Sequence, residues 1–283
     1  MDPTMRLPAS VLDELDAQAA GTREPAPLRE AASVILLRDG AAGLELFLML
    51  RHATMAFASG MAVFPGGGVD KRDFEVSPSV VGPDLATWAD ILGTTASMAG
   101  AVLCAAIREL FEETGILLAG SAESIVTDTD SSAWESRRAR LENHELSMSE
   151  LLQETGLSLR TDLLRFWSQW STPTFEPRRY KTWFFVAVQP AGQTTRAVAT
   201  EALEVRWMSV ETAMRDVEAG RTRMLPPQYC TCLELAESGS AANILSAARV
   251  PMLVAPTVDT DDTGPYLVLP PRFLQLGAAR TTA

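Results

Sequence analysis

The chain of 283 residues is poor in cysteine and histidine, with three and two respectively, and this scarcity excludes several classes of protein. Cys104, Cys230 and Cys232 are too few for a disulfide framework and point to a reducing compartment. Cys230 and Cys232 stand two apart, but two histidines cannot complete a zinc set around them, so they read as half-buried thiols on a helix. Positive charge is short as well: 24 Lys and Arg face 36 Asp and Glu, a formal net charge of −12. With no concentrated basic patch, such a chain repels phosphate backbones, which argues against nucleic acid as a partner. Long apolar runs are missing too: residues 1–6 lack the apolar core of a signal peptide and no stretch has the length of a bilayer span. The expectation is a soluble cytoplasmic protein with no membrane partner. No G-x-S-x-G elbow occurs and no internal repeat is visible. Asp259, Asp261 and Asp262 precede Gly264 without the ligand run and terminal Glu of a calcium loop, and read as a surface turn.

What is present is apolar substance, 47% of the residues, including six Trp and ten Phe, enough to bury a sizeable core. The length corresponds to about two domains at roughly 150 residues each. An amphipathic stretch at 11–19 and a Pro-bearing segment at 25–27 predict a helix and an entry linker, an N-terminal extension over residues 1–29. Aliphatic runs at 32–37 and 44–51 flank Asp39-Gly40 and predict a strand pair joined by a polar loop. A short apolar piece then ends in Pro65-Gly66-Gly67-Gly68. Residues 71–99 are rich in Ser, Asp, Pro and Gly, with weak helical periodicity at 85–92, and read as an insertion.

The stripe Val102, Leu103, Ala106, Ile107 and Leu110 predicts a helix over 101–113, closed by Gly115 in a left-handed turn. Residues 134–154 look helical and charged with breaks, and 163–170 carry further apolar periodicity. Strands are predicted at 182–188 and 202–207, helices at 210–219, 228–236 behind Pro226-Pro227, and 243–249, and short strands at 252–254 and 266–269. Strands and helices alternate without strict βαβ order, which implies an α/β fold with a mixed sheet covered by helices. The main domain is drawn over 30–249, with 250–283 packed on it.

The segment that carries chemistry is Arg108-Glu109-Leu110-Phe111-Glu112-Glu113-Thr114-Gly115-Ile116. On a helix Glu109, Glu112 and Glu113 stand at i, i+3 and i+4 and share one face. Three like charges there destabilise the helix unless something compensates, and a hard divalent cation, which prefers carboxylate oxygens, is the simplest agent. Arg108 lies four residues before Glu112 and can hold a carboxylate in place. Upstream, Phe64-Pro65-Gly66-Gly67 forms a backbone turn whose carbonyls are available to a cation.

This segment resembles the second half of the Nudix box, G-x5-E-x7-R-E-U-x-E-E-x-G-U with U aliphatic, and Phe64 to Gly67 resembles the part carrying its first glycine, placed at Gly67. Forty-one positions separate Gly67 from Arg108 where the pattern has fourteen, so about 27 residues are inserted. Counting back from Arg108 puts Gly100 where the first box Glu falls, so that Glu is missing or displaced into the insertion. An interrupted box is similar to the branch of Nudix enzymes that contains the peroxisomal coenzyme A diphosphatases. Residues 167–173, Pro177-Arg178-Arg179-Tyr180 and Leu225-Pro226-Pro227-Gln228-Tyr229 resemble that branch too. Its coenzyme A signature is partly filled: Arg51, Gly60 and Phe64 to Gly67 match in register, whereas Met49, His52 and Ala56 replace a Thr, a Ser and an Arg.

The resemblance implies an α/β/α Nudix sandwich with extra C-terminal helices, and hydrolysis of a nucleoside diphosphate linked to another moiety. It also implies Mg2+ or Mn2+ held by Glu109, Glu112 and Glu113 with the Gly66 carbonyl as an extra ligand, and Arg108 in the same cluster. Arg51, Phe64, Gly67, Arg178 and Arg179 would meet the substrate, the two last as phosphate clamps. A general base outside the box would come from Glu176, Glu201 or Glu204, and Trp167 and Trp170 offer a wall for base stacking. Coenzyme A or an acyl-CoA is the expected substrate, with ADP-ribose or NADH as an alternative and a non-hydrolysing nucleotide-binding regulator as a third reading. A homodimer is compatible with this.

Overall fold

A strand buried on both faces must be apolar at every position, and residues 34–37 and 183–187 meet that condition. In the computed structural model, which describes residues 5–41, 43–51, 60–74, 79–196, 202–247, 250 and 252–281, these two runs lie side by side at the centre of a sheet. Chain order is β1 (Met5–Arg6), α1 (Ser10–Ala19), β2 (Leu28–Gly40), β3 (Gly43–Arg51), β4 (Ala62–Val63), β5 (Gly66–Gly68), β6 (Val80–Val81), α2 (Leu85–Leu92) and α3 (Ala96–Thr114). Then follow β7 (Ala119–Gly120), α4 (Ser132–Glu142), α5 (Met148–Thr155), β8 (Ser158–Arg160), β9 (Arg165–Ser171), β10 (Arg179–Val188) and β11 (Ala202–Ser209). The chain ends with α6 (Val210–Glu218), α7 (Pro226–Ala236), α8 (Ala241–Ser246), β12 (Leu253–Val254), β13 (Thr257–Asp261), β14 (Gly264–Val268) and α9 (Pro271–Thr281).

The main sheet has the order β11-β3-β2-β10-β9-β12, with β4 beside β3 and β5 beside β2. β2 and β10 run parallel, Val34 opposite Phe185, while β3 and β9 are antiparallel to them, so the sheet is mixed. Side chains alternate between faces with a period of two. Val34, Leu36, Phe47, Trp183 and Phe185 pack under α2, α3 and α5, whereas Ile35, Leu37, Leu46, Phe184 and Val186 pack under α6, α7 and α8. The result is the expected α/β/α sandwich.

The expected helix over 101–113 starts earlier, at Ala96, where Thr95 accepts a hydrogen bond from the Met98 N–H at 3.2 Å. Its first turn, Ala-Ser-Met-Ala-Gly, consists mostly of small residues without an apolar stripe, so periodicity alone marks the helix only from Val102 on. It stops at Gly115, which adopts φ +74°. From Ala99 to Thr114 every residue except Glu109 is buried, because α3 lies flat across the sheet. The charged stretch 134–154 divides into α4 and α5, the second opened by a capping box between Ser147 and Glu150.

The C-terminal aspartates form an exposed hairpin whose surface turn falls at Asp262–Thr263. Asp259 and Asp261 lie in β13, which pairs with β14, and β14 pairs in turn with β1. Asp261 accepts from both terminal nitrogens of Arg6 at 2.7 and 2.8 Å, an interaction across most of the chain length that composition cannot forecast. Cys230 and Cys232 depart from expectation. Both are fully buried where α7 packs against α6 and α9, and burial pushes the Cys232 thiol up to about 12.

The insertion is a folded part of the first core. α2 is capped by Asp84, which accepts from the Thr87 N–H at 2.7 Å, and Trp88 meets Phe185 edge-on with ring centroids 6.1 Å apart. Trp88→Ala is therefore expected to cost about 3–5 kcal/mol in a urea melt. A loss below about 1 kcal/mol would show that α2 is an appendage.

Candidate active site

The carboxylates of α3 meet the glycines of β5 because β5 pairs with residues 31–33 of β2, directly below the C-terminal half of the helix. The approach leaves no room for side chains. A Cβ on Gly67 would run into the Glu109 carboxylate, and one on Gly66 would lie 2.5 Å from the Ala32 carbonyl oxygen. The Gly66 N–H donates to Glu113 Oε2 at 2.7 Å and ties the turn to the carboxylate face of α3. Ser33 Oγ and the Val34 N–H both donate to the Pro65 carbonyl at 2.8 Å and hold the turn in place.

Arg108 is almost completely buried, and its guanidinium is saturated. Nε and Nη2 donate to the two oxygens of Asp73 at 3.1 and 3.0 Å, and Nη2 also donates to the Gly68 carbonyl at 3.0 Å. Nη1 donates to Glu109 Oε1 at 2.8 Å and to Glu112 Oε2 at 3.1 Å. Burial alone would lower the pKa of Arg108, but Glu109, Asp73 and Glu112 together raise it.

Asp73 is the box carboxylate that was missing. It lies six positions after Gly67, where the G-x5-E spacing puts the first acid, on the short 3-10 turn Lys71–Phe74. Counting forward from Gly67 finds it, whereas counting back from Arg108 crosses the insertion and lands on Gly100. An Asp therefore stands at the spacing of the first acid, inside residues 71–99, and the turn Lys71–Phe74 that carries it packs on α3. Asp73→Ala leaves Arg108 buried with part of its partner set removed and is expected to cost about 3–5 kcal/mol of stability, while Asp73→Glu retains most of it, both read by urea melts.

One guanidinium is shared by three carboxylates, and Glu112 is the one left short. Its Oε1 is buried without a hydrogen-bond partner among the described residues. Burial, then Glu109 as a like charge, push its carboxyl up to about 8 against the pull of Arg108. Because the folded value exceeds the ordinary 4.5, the folded chain retains a proton that the unfolded chain releases between those two values. This stability contribution is complete below the lower value and is lost as pH rises through the upper one. Urea melts in chelator across that window are expected to show the decline, and Glu112→Gln, neutral throughout, is expected to flatten it.

Glu109 and Glu113 line a cavity of about 730 Å3 together with Phe64 and Gly66 to Gly68. From there the cavity crosses to the other layer, past Trp170, Glu176, Tyr180 and Phe184 to Leu225-Pro226-Pro227-Gln228. Met5, Leu7 and Leu267 from β1, its flank and β14 close one wall. The two arginines expected as phosphate clamps do not line it: Arg178 is exposed, and Arg179 donates to the Thr172 and Ala26 carbonyls at 3.3 and 2.9 Å. Of the candidate bases, Glu176 lines the cavity and burial raises its pKa. Glu204 is exposed beside Arg206, and Glu201 lies outside the described residues, as do His52, Ala56 and the side chain of Arg51. Trp170 lines the cavity but has its ring against Phe273, centroids 5.5 Å apart, while Trp167 is buried in the second core. Trp170, Tyr180 and Gln228 as parts of one cavity follow from the crossing of layers, for which no local pattern exists. Among the described residues no three acidic, histidine or cysteine groups converge as a formed metal cluster.

The profile of the NUDT19 Nudix domain matches residues 85–235, more than half of the chain, and the chain belongs to that family of Nudix hydrolases. It is 28% identical over 210 residues to the putative nudix hydrolase 7 of Caenorhabditis elegans, covering 74% of this chain and 61% of that protein. It is 28% identical over 262 residues to the acyl-coenzyme A diphosphatase NUDT19 of Gallus gallus, covering 78% of this chain and 65% of that protein. The chain thus spans less than two thirds of the length of these relatives. A crystal structure of a NUDIX hydrolase from Alicyclobacillus acidocaldarius superimposes with a TM-score of 0.67 at 25% identity, covering 79% of this chain and 98% of the other.

Proposed function

We propose that the protein is a metal-dependent diphosphatase of coenzyme A or its thioesters, releasing 3′,5′-ADP and the phosphopantetheine half. The observation that carries this is one cavity with Glu109 and Glu113 on its α3 side and a mostly apolar lining beyond them. The name of the Gallus gallus relative, an acyl-coenzyme A diphosphatase, supports the same substrate class. Glu109, Glu112 and Glu113 fit Mg2+ or Mn2+ by donor chemistry, since all are hard oxygen ligands, and Glu112 has a buried oxygen with no hydrogen-bond partner among the described residues. A bound divalent cation would neutralise the diphosphate and make a coordinated water more acidic.

The chain's own groups supply the rest. Arg108 holds Glu109, which lines the cavity, and Glu112, buried behind it, and the side-chain-free turn of β5 lets a diphosphate approach the carboxylates. Glu176 is the proposed general base, because it lines the cavity as a carboxylate whose pKa burial raises above the ordinary value. Phe64, 3% exposed and edge-on to Phe184 at 6.5 Å, forms the floor between the acidic and the apolar parts.

The test is a panel of coenzyme A, ADP-ribose, NADH and dNTPs incubated with Mg2+ or Mn2+ and resolved by chromatography. Release of 3′,5′-ADP and phosphopantetheine is expected. AMP from ADP-ribose or NADH alone would replace the substrate, and tight binding without product would make the protein a nucleotide-binding regulator. Glu113→Gln is expected to abolish cation-dependent turnover with an unchanged far-ultraviolet circular dichroism spectrum, and full turnover by that variant would overturn the mechanism.

A further inference from the structure

A second, smaller cavity of about 420 Å3 adjoins the first, since Gly68 and Tyr180 line both. Arg29, Glu30, Val69 and Phe74 complete its lining. In the parallel pair of β2 and β10, Arg29 stands opposite Tyr180, just as Ala31 stands opposite Thr182. Residues two apart on a strand share a face, so Arg29 continues, toward the start of β2, the face on which Ala31, Ser33 and Thr182 line the main cavity. Neighbouring strands lie about 4.8 Å apart, which sets Arg29 and Tyr180 side by side at the junction of the two cavities.

Arg29 is exposed and makes no hydrogen bond or ion pair among the described residues. The acids nearest to it in the chain are engaged elsewhere. Glu30 belongs to the opposite face of β2, with its Oε1 4.0 Å from the Lys181 ammonium, and Asp70 accepts from the Arg72 N–H at 2.9 Å and from Arg72 Nε at 3.1 Å. A solitary surface arginine needs no ligand, but this one borders a cavity that joins the carboxylate site. Its guanidinium fork matches the oxygens of a phosphate.

We propose that Arg29 pairs with the 3′-phosphate of coenzyme A and that the smaller cavity receives the adenosine half, an inference that rests on the coenzyme A reading of the site. With the diphosphate between the carboxylates and the glycines of β5, the pantetheine arm enters the larger, mostly apolar cavity and the adenosine leaves across Gly68. Ala32 pairs with Gly67, so Arg29 lies three residues, roughly 10 Å, along β2 from that point. A ribose and an extended arginine side chain together span that length. The 3′-phosphate sits on the same ribose as the 5′-diphosphate and is the one other charged group of the substrate. Phe74, 44% exposed, and Val69 give the sugar and base an apolar lining. ADP-ribose has no 3′-phosphate, so Arg29 favours coenzyme A over it.

Arg29→Gln, Arg29→Lys and Lys181→Gln are compared with the wild type in two measurements. Lys181 follows Tyr180 on β10 but faces the other way, its ammonium 4.5 Å from the centre of the Trp183 ring, so its variant removes a nearby charge without touching either cavity. The first measurement is the ratio of kcat/KM for coenzyme A to that for 3′-dephospho-coenzyme A. Arg29→Gln is expected to lower it about tenfold, the low end for a hydrogen bond to a charged group because an exposed pair is screened, through KM with kcat retained. Arg29→Lys, which keeps the charge, is expected to recover part of the ratio, and Lys181→Gln to leave it unchanged. The second is calorimetric binding, in Mg2+, of 3′,5′-ADP, 2′,5′-ADP and 5′-AMP. The wild type is expected to bind 3′,5′-ADP about tenfold more tightly than 5′-AMP, and Arg29→Gln is expected not to distinguish them.

A ratio that Arg29→Gln leaves unchanged would overturn the subsite, as would an equal fall in Lys181→Gln, which would make the effect one of general charge. Tighter binding of 2′,5′-ADP than of 3′,5′-ADP would overturn it too. Binding of 3′,5′-ADP that depends on Arg29, in a protein that does not cleave coenzyme A, would uphold the subsite and reject the proposed reaction. Cleavage of coenzyme A and its 3′-dephospho form with no contribution from Arg29 would do the reverse.

Discussion

The guanidinium of Arg108 is buried beneath α3, and Asp73, the Gly68 carbonyl, Glu109 and Glu112 are tied together by the bonds that this cation makes. A buried cation is expensive to desolvate and tolerable only with its donors filled. Asp73 takes two of them, the Gly68 carbonyl one, and Glu109 and Glu112 the remainder. These acceptors come from three places in the chain: the 3-10 turn after β5, β5 itself, and the helix. Satisfying one side chain therefore closes the turn against the helix and aligns the carboxylate face. The same arithmetic leaves a surplus of negative charge, since three carboxylates share one guanidinium. Burial, with that surplus added to it, raises the pKa of Glu112.

The glycines are the steric counterpart of this electrostatic constraint. Charge brings Glu109 and Glu113 toward β5, and only a strand without side chains allows that approach. The pairing of β5 with β2 then joins the acidic face to the edge of the main sheet, so the site is seated on the strand whose central part belongs to both cores. The net charge of −12 acquires a local meaning here. Part of it is concentrated where a polyphosphate would have to bind, which is favourable only if cations arrive with or before it.

The cavity owes its shape to the two-layer architecture. One end belongs to α3 on one face of the sheet and the other to α7 on the opposite face, with the ends of β9 and β10 between them. Segments from the two extremities of the described chain, β1 and β14, pair with each other and add a wall. The cavity therefore has two chemically different ends, acidic at α3 and mostly apolar at α7.

Much of this was determined by the sequence on its own. The period of the apolar residues identified the central strands and α3, because alternation of two and of 3.6 follows from backbone geometry wherever a face is buried. The Glu109, Glu112, Glu113 face follows from helical spacing, and Asp73 was legible too, six residues after Gly67, although the insertion hides it from a count made in the other direction. Only the tertiary structure decided which neighbours those residues have. Arg178 and Arg179 share a local sequence that suits a phosphate clamp, yet Arg179 is committed to backbone carbonyls and Arg178 faces solvent. Trp170 and Gln228 are 58 positions apart and become parts of one wall because β9 and α7 meet across the second core. Local spacing follows from the geometry of one element, whereas a cavity depends on how several elements pack, and no single element encodes that.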